Sequence, residues 1–293
     1  MKISLKMEKT KEVLSLITGI AFSNVPCWYD AARRDLHMDL IVPKKRQGHD
    51  KCPAVIWICG GAYMVVDHSV WMPEMVRFAR AGYVVASIEY RTSNEAQFPS
   101  QLVDVKAAVR YLKAHSEQYC IDPDRIFVMG ESAGGTMACL IGTTADQKEY
   151  DQGDYLEFDS SVKGVVDFYG LVDLEASACN TCDTVPEWTM QAFLGAGFKR
   201  EQAEKASAIK YINEKTPPFM ILHGTEDPVV PIEQSRSLYE MLQKKGVRAD
   251  YYEIEGAVHG DDAFYEDGMV NKVLNFLESI QSITPPQAAG HGN

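Results

Sequence analysis

Gly130-Glu131-Ser132-Ala133-Gly134-Gly135 stands where the short apolar run Arg125 to Met129 gives way to a stretch of helical composition, Ala133 to Gly142. A serine at a sharp strand-to-helix turn needs small residues on both sides, so that the backbone can bend and leave the hydroxyl exposed. Gly130 and Gly134 meet that need and make Ser132 a candidate nucleophile. The Gly-x-Ser-x-Gly pattern alone arises easily by chance, since glycine makes up about 7% of average protein sequence. Its neighbours along the chain decide its meaning.

Outward from the serine, short β-branched runs alternate with longer helical patterns, which predicts an α/β fold with a mainly parallel sheet and helices on both faces. Strands are predicted at Leu36 to Val42, Ala54 to Cys59, Tyr83 to Ile88, Arg125 to Met129, Val162 to Tyr169, Phe219 to His223 and Asp250 to Ile254. Helices are predicted near Val70 to Arg80, Pro99 to His115, Ala133 to Gly142, Ile232 to Lys245 and Ala263 to Ile280, with Asp122-Pro123-Asp124 read as a break. The stretch of about residues 171–217, with Trp188, Met190, Phe193 and Leu194, exceeds what a crossover helix needs and reads as a small cap insertion. Val13, Leu14, Ile17 and Ile20 have near-helical spacing, so residues 1–30 read as an N-terminal helical segment. Residues 1–283 then form a single domain, and 284–293, rich in Pro, Gly and Ala, a disordered tail.

The 293 residues carry a net charge of -12, which argues against nucleic acid and anionic membrane surfaces as partners. No segment is long and apolar enough to span a bilayer. Seven cysteines, an odd number in a chain too long to need disulfide staples, suggest free thiols in a reducing compartment. Cys179-Asn180-Thr181-Cys182 has no second pair or nearby histidine to complete a zinc site and reads as a loop. Lys2, Lys6, Lys9 and Lys11 before an apolar stretch imitate a signal peptide, but Glu8 and Glu12 and the missing small-x-small site oppose that, and a cytoplasmic location is expected.

A serine hydroxyl needs a base, and histidine suits the task. In a fold of this type the base comes last in chain order, which leaves His223 and His259. His259, in the loop Gly256-Ala257-Val258-His259-Gly260, is favoured, whereas His223 opens a turn where its ring can pack or hydrogen-bond to backbone. The base needs a carboxylate on its other nitrogen. Asp227, stiffened by Pro228, fits, with Glu226 as competitor. Backbone N–H groups that stabilise a developing oxyanion come from Ala133, after the nucleophile, and from Cys59-Gly60-Gly61-Ala62-Tyr63. Tyr63 is a candidate pocket wall.

With these motifs in this order, the chain resembles the α/β-hydrolase superfamily, and within it the esterase/lipase group related to hormone-sensitive lipase and to bacterial carbohydrate esterases of acetyl and feruloyl type. Tyr90-Arg91, Phe98-Pro99, Asp104 to Arg110 and Ile121-Asp122-Pro123 add to the match, which covers about Trp28 to Ile280. The resemblance implies Ser132 as nucleophile, His259 as acid/base, Asp227 as orienting acid, and Gly61, Ala62 and Ala133 as oxyanion donors, with no metal or cofactor. It implies hydrolysis of short-chain acyl esters, such as acetyl groups on carbohydrates, through an acyl-enzyme on Ser132, with a small-molecule ester as partner. Cys59 departs from the group, which usually has histidine there; a thiol nucleophile is the reading it opens. A peptidase of the same fold and a non-catalytic binding protein are the alternatives. Oligomeric state is left open.

Overall fold

The structure is a computed structural model and describes residues 1, 3–8, 13–44, 51–179 and 187–281. The apolar runs form eight strands: β1 (Leu14–Cys27), β2 (Ala32–Pro43), β3 (Cys52–Ile58), β4 (Val84–Ile88), β5 (Ile121–Glu131), β6 (Gly164–Phe168), β7 (Phe219–Gly224) and β8 (Ala249–Ile254). They lie side by side in the order β1-β2-β4-β3-β5-β6-β7-β8. β1 and β2 are antiparallel, as are β2 and β4, and every other pair is parallel. Parallel strands require crossovers, here provided by α1 (Met72–Arg80), α2 (Ser100–Ala114), α3 (Ser116–Tyr119), α4 (Ala133–Thr143), α5 (Leu174–Cys179), α6 (Glu187–Leu194), α7 (Arg200–Lys205), α8 (Glu233–Lys244) and α9 (Asp267–Gln281).

Because successive strand side chains point to opposite faces, each central strand feeds two cores. Ala54, Ile56 and Ile58 of β3 join one cluster with Leu102 of α2, Met137 of α4 and Leu238 of α8. Val55 and Trp57 join the other, with Phe78 of α1 and Phe276 of α9. Near-continuous burial on both faces explains why β3 to β7 read as unbroken apolar runs.

Two expectations are corrected. The N-terminal segment is a strand, not a helix. Phe22, Val25 and Cys27 are buried while Leu16 and Ile17 are exposed, so the residues that gave the helical spacing do not form its buried stripe. Register shifts between Ile17 and Ile20 and between Ala21 and Ser23, with Gly19 at φ 68°, scramble the two-residue alternation that would have revealed it. The N–H of Gly19 is bound by Asp39 Oδ1 at 2.8 Å across the hairpin. Likewise Asp122-Pro123-Asp124 lies inside β5, where pairing with β3 slips between Cys52↔Ile121 and Ala54↔Ile126.

α5, α6 and α7 occupy the stretch read as a cap, and Met190, Phe193 and Leu194 of α6 are buried. Cys182 and the tail 284–293 lie outside the described residues. Among the described residues no helix is long and apolar enough to cross a membrane.

Candidate active site

Ser132 sits between β5 and α4 with φ 54° and ψ -120°, a conformation that costs a side-chain-bearing residue about 1–3 kcal/mol. The surroundings impose it. The Ser132 N–H donates to the Phe168 carbonyl on β6 at 2.9 Å, and the Ser132 carbonyl accepts from the Thr136 N–H at 3.0 Å as α4 begins. A Cβ at Gly130 would collide with the Gly134 carbonyl, and one at Gly134 with the Ile58 carbonyl at the end of β3. The two glycines therefore let α4 start hard against the sheet, with all its residues buried.

The loops after β7 and β8 bring Asp227 and His259 to the serine. His259 Nε2 lies 3.0 Å from Ser132 Oγ and its Nδ1 2.7 Å from Asp227 Oδ2. A carboxylate only accepts, so Nδ1 carries the proton and Nε2 is free to accept one from the serine hydroxyl. Asp227 Oδ1 accepts the backbone N–H groups of Val229 at 2.8 Å and Val230 at 2.9 Å. Its side chain is 0% exposed. Burial alone would raise its pKa, but hydrogen bonds from His223, His259 and the Val230 N–H hold it well below the usual carboxylate range. Glu226, the competing carboxylate, is exposed.

His223, the other candidate base, is fully buried beneath Asp227. Its Nε2 donates to the Val230 carbonyl at 3.0 Å and lies 3.4 Å from Asp227 Oδ2, while its Nδ1 accepts from Ser235 Oγ at 2.7 Å. It braces the turn that aims Asp227. The His–x₃–Asp spacing at a strand end was the available sequence signal. The ring of Tyr169, 4.6 Å from that of His259, walls the imidazole on another side.

The loop after β3 approaches from across the sheet end. Gly61, Ala62 and Tyr63 have φ of 124°, 52° and 62°, and the Gly61 carbonyl accepts from the N–H groups of Met64 at 2.9 Å and Val65 at 3.1 Å, curling the loop into a tight turn. Ala62, Tyr63 and Ala133 line one cavity of about 160 Å³ with Ser132, Leu171, Trp188, Thr189, Val229 and Val230; Gly61 supports the loop but is not part of that lining. Tyr63 is buried, donates to Thr136 Oγ1 at 2.9 Å and stacks on Phe193 at 3.9 Å. Glu131, overlooked as a spacer within the serine motif, accepts a hydrogen bond from the Gly60 N–H and has the Trp71 indole nearby. Burial pushes its pKa up even so. Cys59 is no rival nucleophile: burial, with the Glu131 charge beside it, pushes its thiol up to about 12.

Residues 38–242, more than half of the sequence, match the BD-FAE family model. The chain belongs to the BD-FAE family. This BD-FAE chain is 31% identical over 214 residues to the esterase LipC of Mycobacterium tuberculosis, covering 72% of this chain and 53% of that one. It is 28% identical over 260 residues to a probable isoprenylcysteine alpha-carbonyl methylesterase, ICMEL1, of Arabidopsis thaliana, covering 84% and 52%. Thus it spans about half the length of the curated relatives it matches. Among solved structures, a truncated form of a carbohydrate esterase from gut microbiota superposes with a TM-score of 0.78 at 26% identity, over 93% of this chain and 98% of that one. The BD-FAE chain has the α/β-hydrolase fold that the resemblance implied. Its family match ends at residue 242, so His259 is placed by geometry and not by that match.

Proposed function

We propose that this chain is a serine carboxylesterase that removes short acyl groups, with carbohydrates as the alcohol side of its substrates. The observation that carries the reading is the continuous relay from Asp227 through His259 to Ser132, with contacts of 2.7 and 3.0 Å, opening into the small cavity. Ser132 Oγ attacks the ester carbonyl as His259 Nε2 takes its proton. The resulting imidazolium is stabilised by Asp227, and the same proton then passes to the departing alcohol. Negative charge on the carbonyl oxygen is met by the N–H groups of Ala62 and Ala133, with Gly61 as the further donor of the loop. Water, activated by His259, releases the acid. A cavity of about 160 Å³, with Ala, Leu, Val and Trp side chains in its lining, suits acetyl to butyryl chains. The carbohydrate part of the reading is supported by the structural likeness to a carbohydrate esterase.

Ser132→Ala tests it directly. Turnover of p-nitrophenyl acetate falls by about 10⁴-fold or more while the thermal melt is retained. Undiminished turnover in the folded variant refutes the reading, and turnover of the matching amide at a comparable rate would turn it toward a peptidase.

A further inference from the structure

A second, larger cavity of about 630 Å³ is not used by the chemistry. The same two segments line both. Ala62 and Tyr63 face the serine cavity and Met64 the larger one, while Trp188 and Thr189 of α6 face the former and Gln191 and Ala192 the latter. The buried Tyr63–Phe193 stack belongs to these two segments, one ring from each. The two segments that frame Ser132 thus also frame a second recess, on the side where the alcohol of an ester would extend.

The far wall is the turn between β1 and β2. Trp28 and Tyr29 are 61% and 67% exposed, although both line the recess. With Asp30 they form three consecutive residues at φ of 51°, 53° and 67°, a conformation that Asp enters readily but that strains the two aromatic residues. The strain is held in place from the other side of the recess. The Tyr29 N–H donates to the Glu95 carbonyl at 3.1 Å, and the Glu95 carboxylate binds Arg34 and the Thr92 N–H. Asn94, Gln97 and Gln191 contribute carboxamides to the lining. Among the described residues, Glu95 is the one charged side chain in this lining, and Arg34 neutralises it.

Flat aromatic faces suit the C–H faces of a sugar ring, and carboxamides pair with hydroxyls as donor and acceptor at once. A neutral lining gives an anionic or cationic ligand no counter-charge. We infer that this recess is the binding site for a neutral oligosaccharide carrying the ester, with Trp28 and Tyr29 as its stacking platform. The inference rests on the esterase reading and adds to it the place where the carbohydrate binds.

The experiment measures kcat and KM on p-nitrophenyl acetate and on acetylated xylo-, manno- and cello-oligosaccharides, for the wild type, Trp28→Ala and Trp28→Phe. For at least one acetylated oligosaccharide, Trp28→Ala raises KM about fivefold to tenfold, the worth of one stacking contact, with kcat within about twofold. The ratio of its kcat/KM to that on p-nitrophenyl acetate falls by the same factor, and Trp28→Phe, which keeps a flat face, regains most of it. A ratio unmoved by Trp28→Ala on every oligosaccharide overturns the inference. So does a wild type that turns over p-nitrophenyl acetate and none of the sugar esters. A wild type that hydrolyses neither defeats the esterase reading itself, and the subsite with it.

Discussion

The turn after β7 and the end of β5 each bring a carboxylate to the neighbourhood of Ser132, and the two are held in opposite ways. Asp227 receives two backbone N–H groups on one oxygen and the rings of His259 and His223 against the other. Those bonds outweigh burial and keep it ionised. Glu131 receives the Gly60 N–H, and burial raises its pKa. The difference separates a group whose charge is needed from one whose geometry is needed. In the proposed mechanism Asp227 steadies an imidazolium, whereas Glu131 ties the start of the loop after β3 to the residue beside Ser132. Neither carboxylate touches the ester; both are positioning residues.

The largest expected effect comes from Asp227→Asn. An asparagine can turn its amide toward His259 Nδ1, which then accepts and leaves Nε2 protonated and unable to take the serine proton; kcat on p-nitrophenyl acetate falls by about 10⁴-fold. A loss below about tenfold would erase the contrast, because charge at this position would then be dispensable. Stability follows the same logic. A carboxyl whose pKa is lowered by folding contributes stability above its unfolded value, about 3.9, and loses it as pH falls toward the folded value. The melting gap between wild type and Asp227→Asn therefore narrows as the medium is acidified below about pH 4.

Glu131→Gln is the next test and has a different signature. Glutamine keeps one acceptor for the Gly60 N–H but puts an amide N–H in place of the second carboxylate oxygen, which also lies against Gly60, and the loop shifts. Losing an oxyanion donor outright costs about 10²–10³ in kcat, and displacing the loop costs less, about tenfold, with KM within about twofold. The pH dependence of stability also has the opposite sign. A pKa raised by folding means that stability is lost as pH climbs from the unfolded value, about 4.3, through the folded one, so the melt of Glu131→Gln gains on the wild type over that window. A kcat loss as large as that of Asp227→Asn would mean that Glu131 acts by its charge.

This contrast also marks what could be read from sequence. Ser132, Asp227 and His259 were legible because each follows a strand end and sits beside Gly or Pro, which shape the turns that expose them. The strands from β3 to β7 were legible because burial on both faces leaves continuous apolar runs. Glu131 was not, since its partner Gly60 lies 71 residues away and meets it only once β3 and β5 are paired. β1 escaped for a related reason. Its two register shifts erase the local period, and β2, which satisfies its backbone, is a partner that no window within β1 contains. The recess by Trp28 depends on four segments far apart in the chain, and its aromatics gave no sign of exposure.

The smallest expected effect concerns Cys59, which lies between the end of β3 and the loop that Glu131 holds. Alkylation requires a thiolate that the reagent can reach. Burial is the main reason that the Cys59 thiol is pushed up to about 12, and the charge of Glu131 adds to it. Iodoacetamide at about pH 8 should therefore modify the exposed Cys120, spare Cys59, and leave turnover of p-nitrophenyl acetate unchanged. In Glu131→Gln the protection of Cys59 should persist, because removing a charge does not remove burial. If Cys59 instead becomes labelled in that variant and turnover falls with the labelling, the loop must open when Glu131 is altered, and the carboxylate is then the latch of the loop and not merely one of its supports.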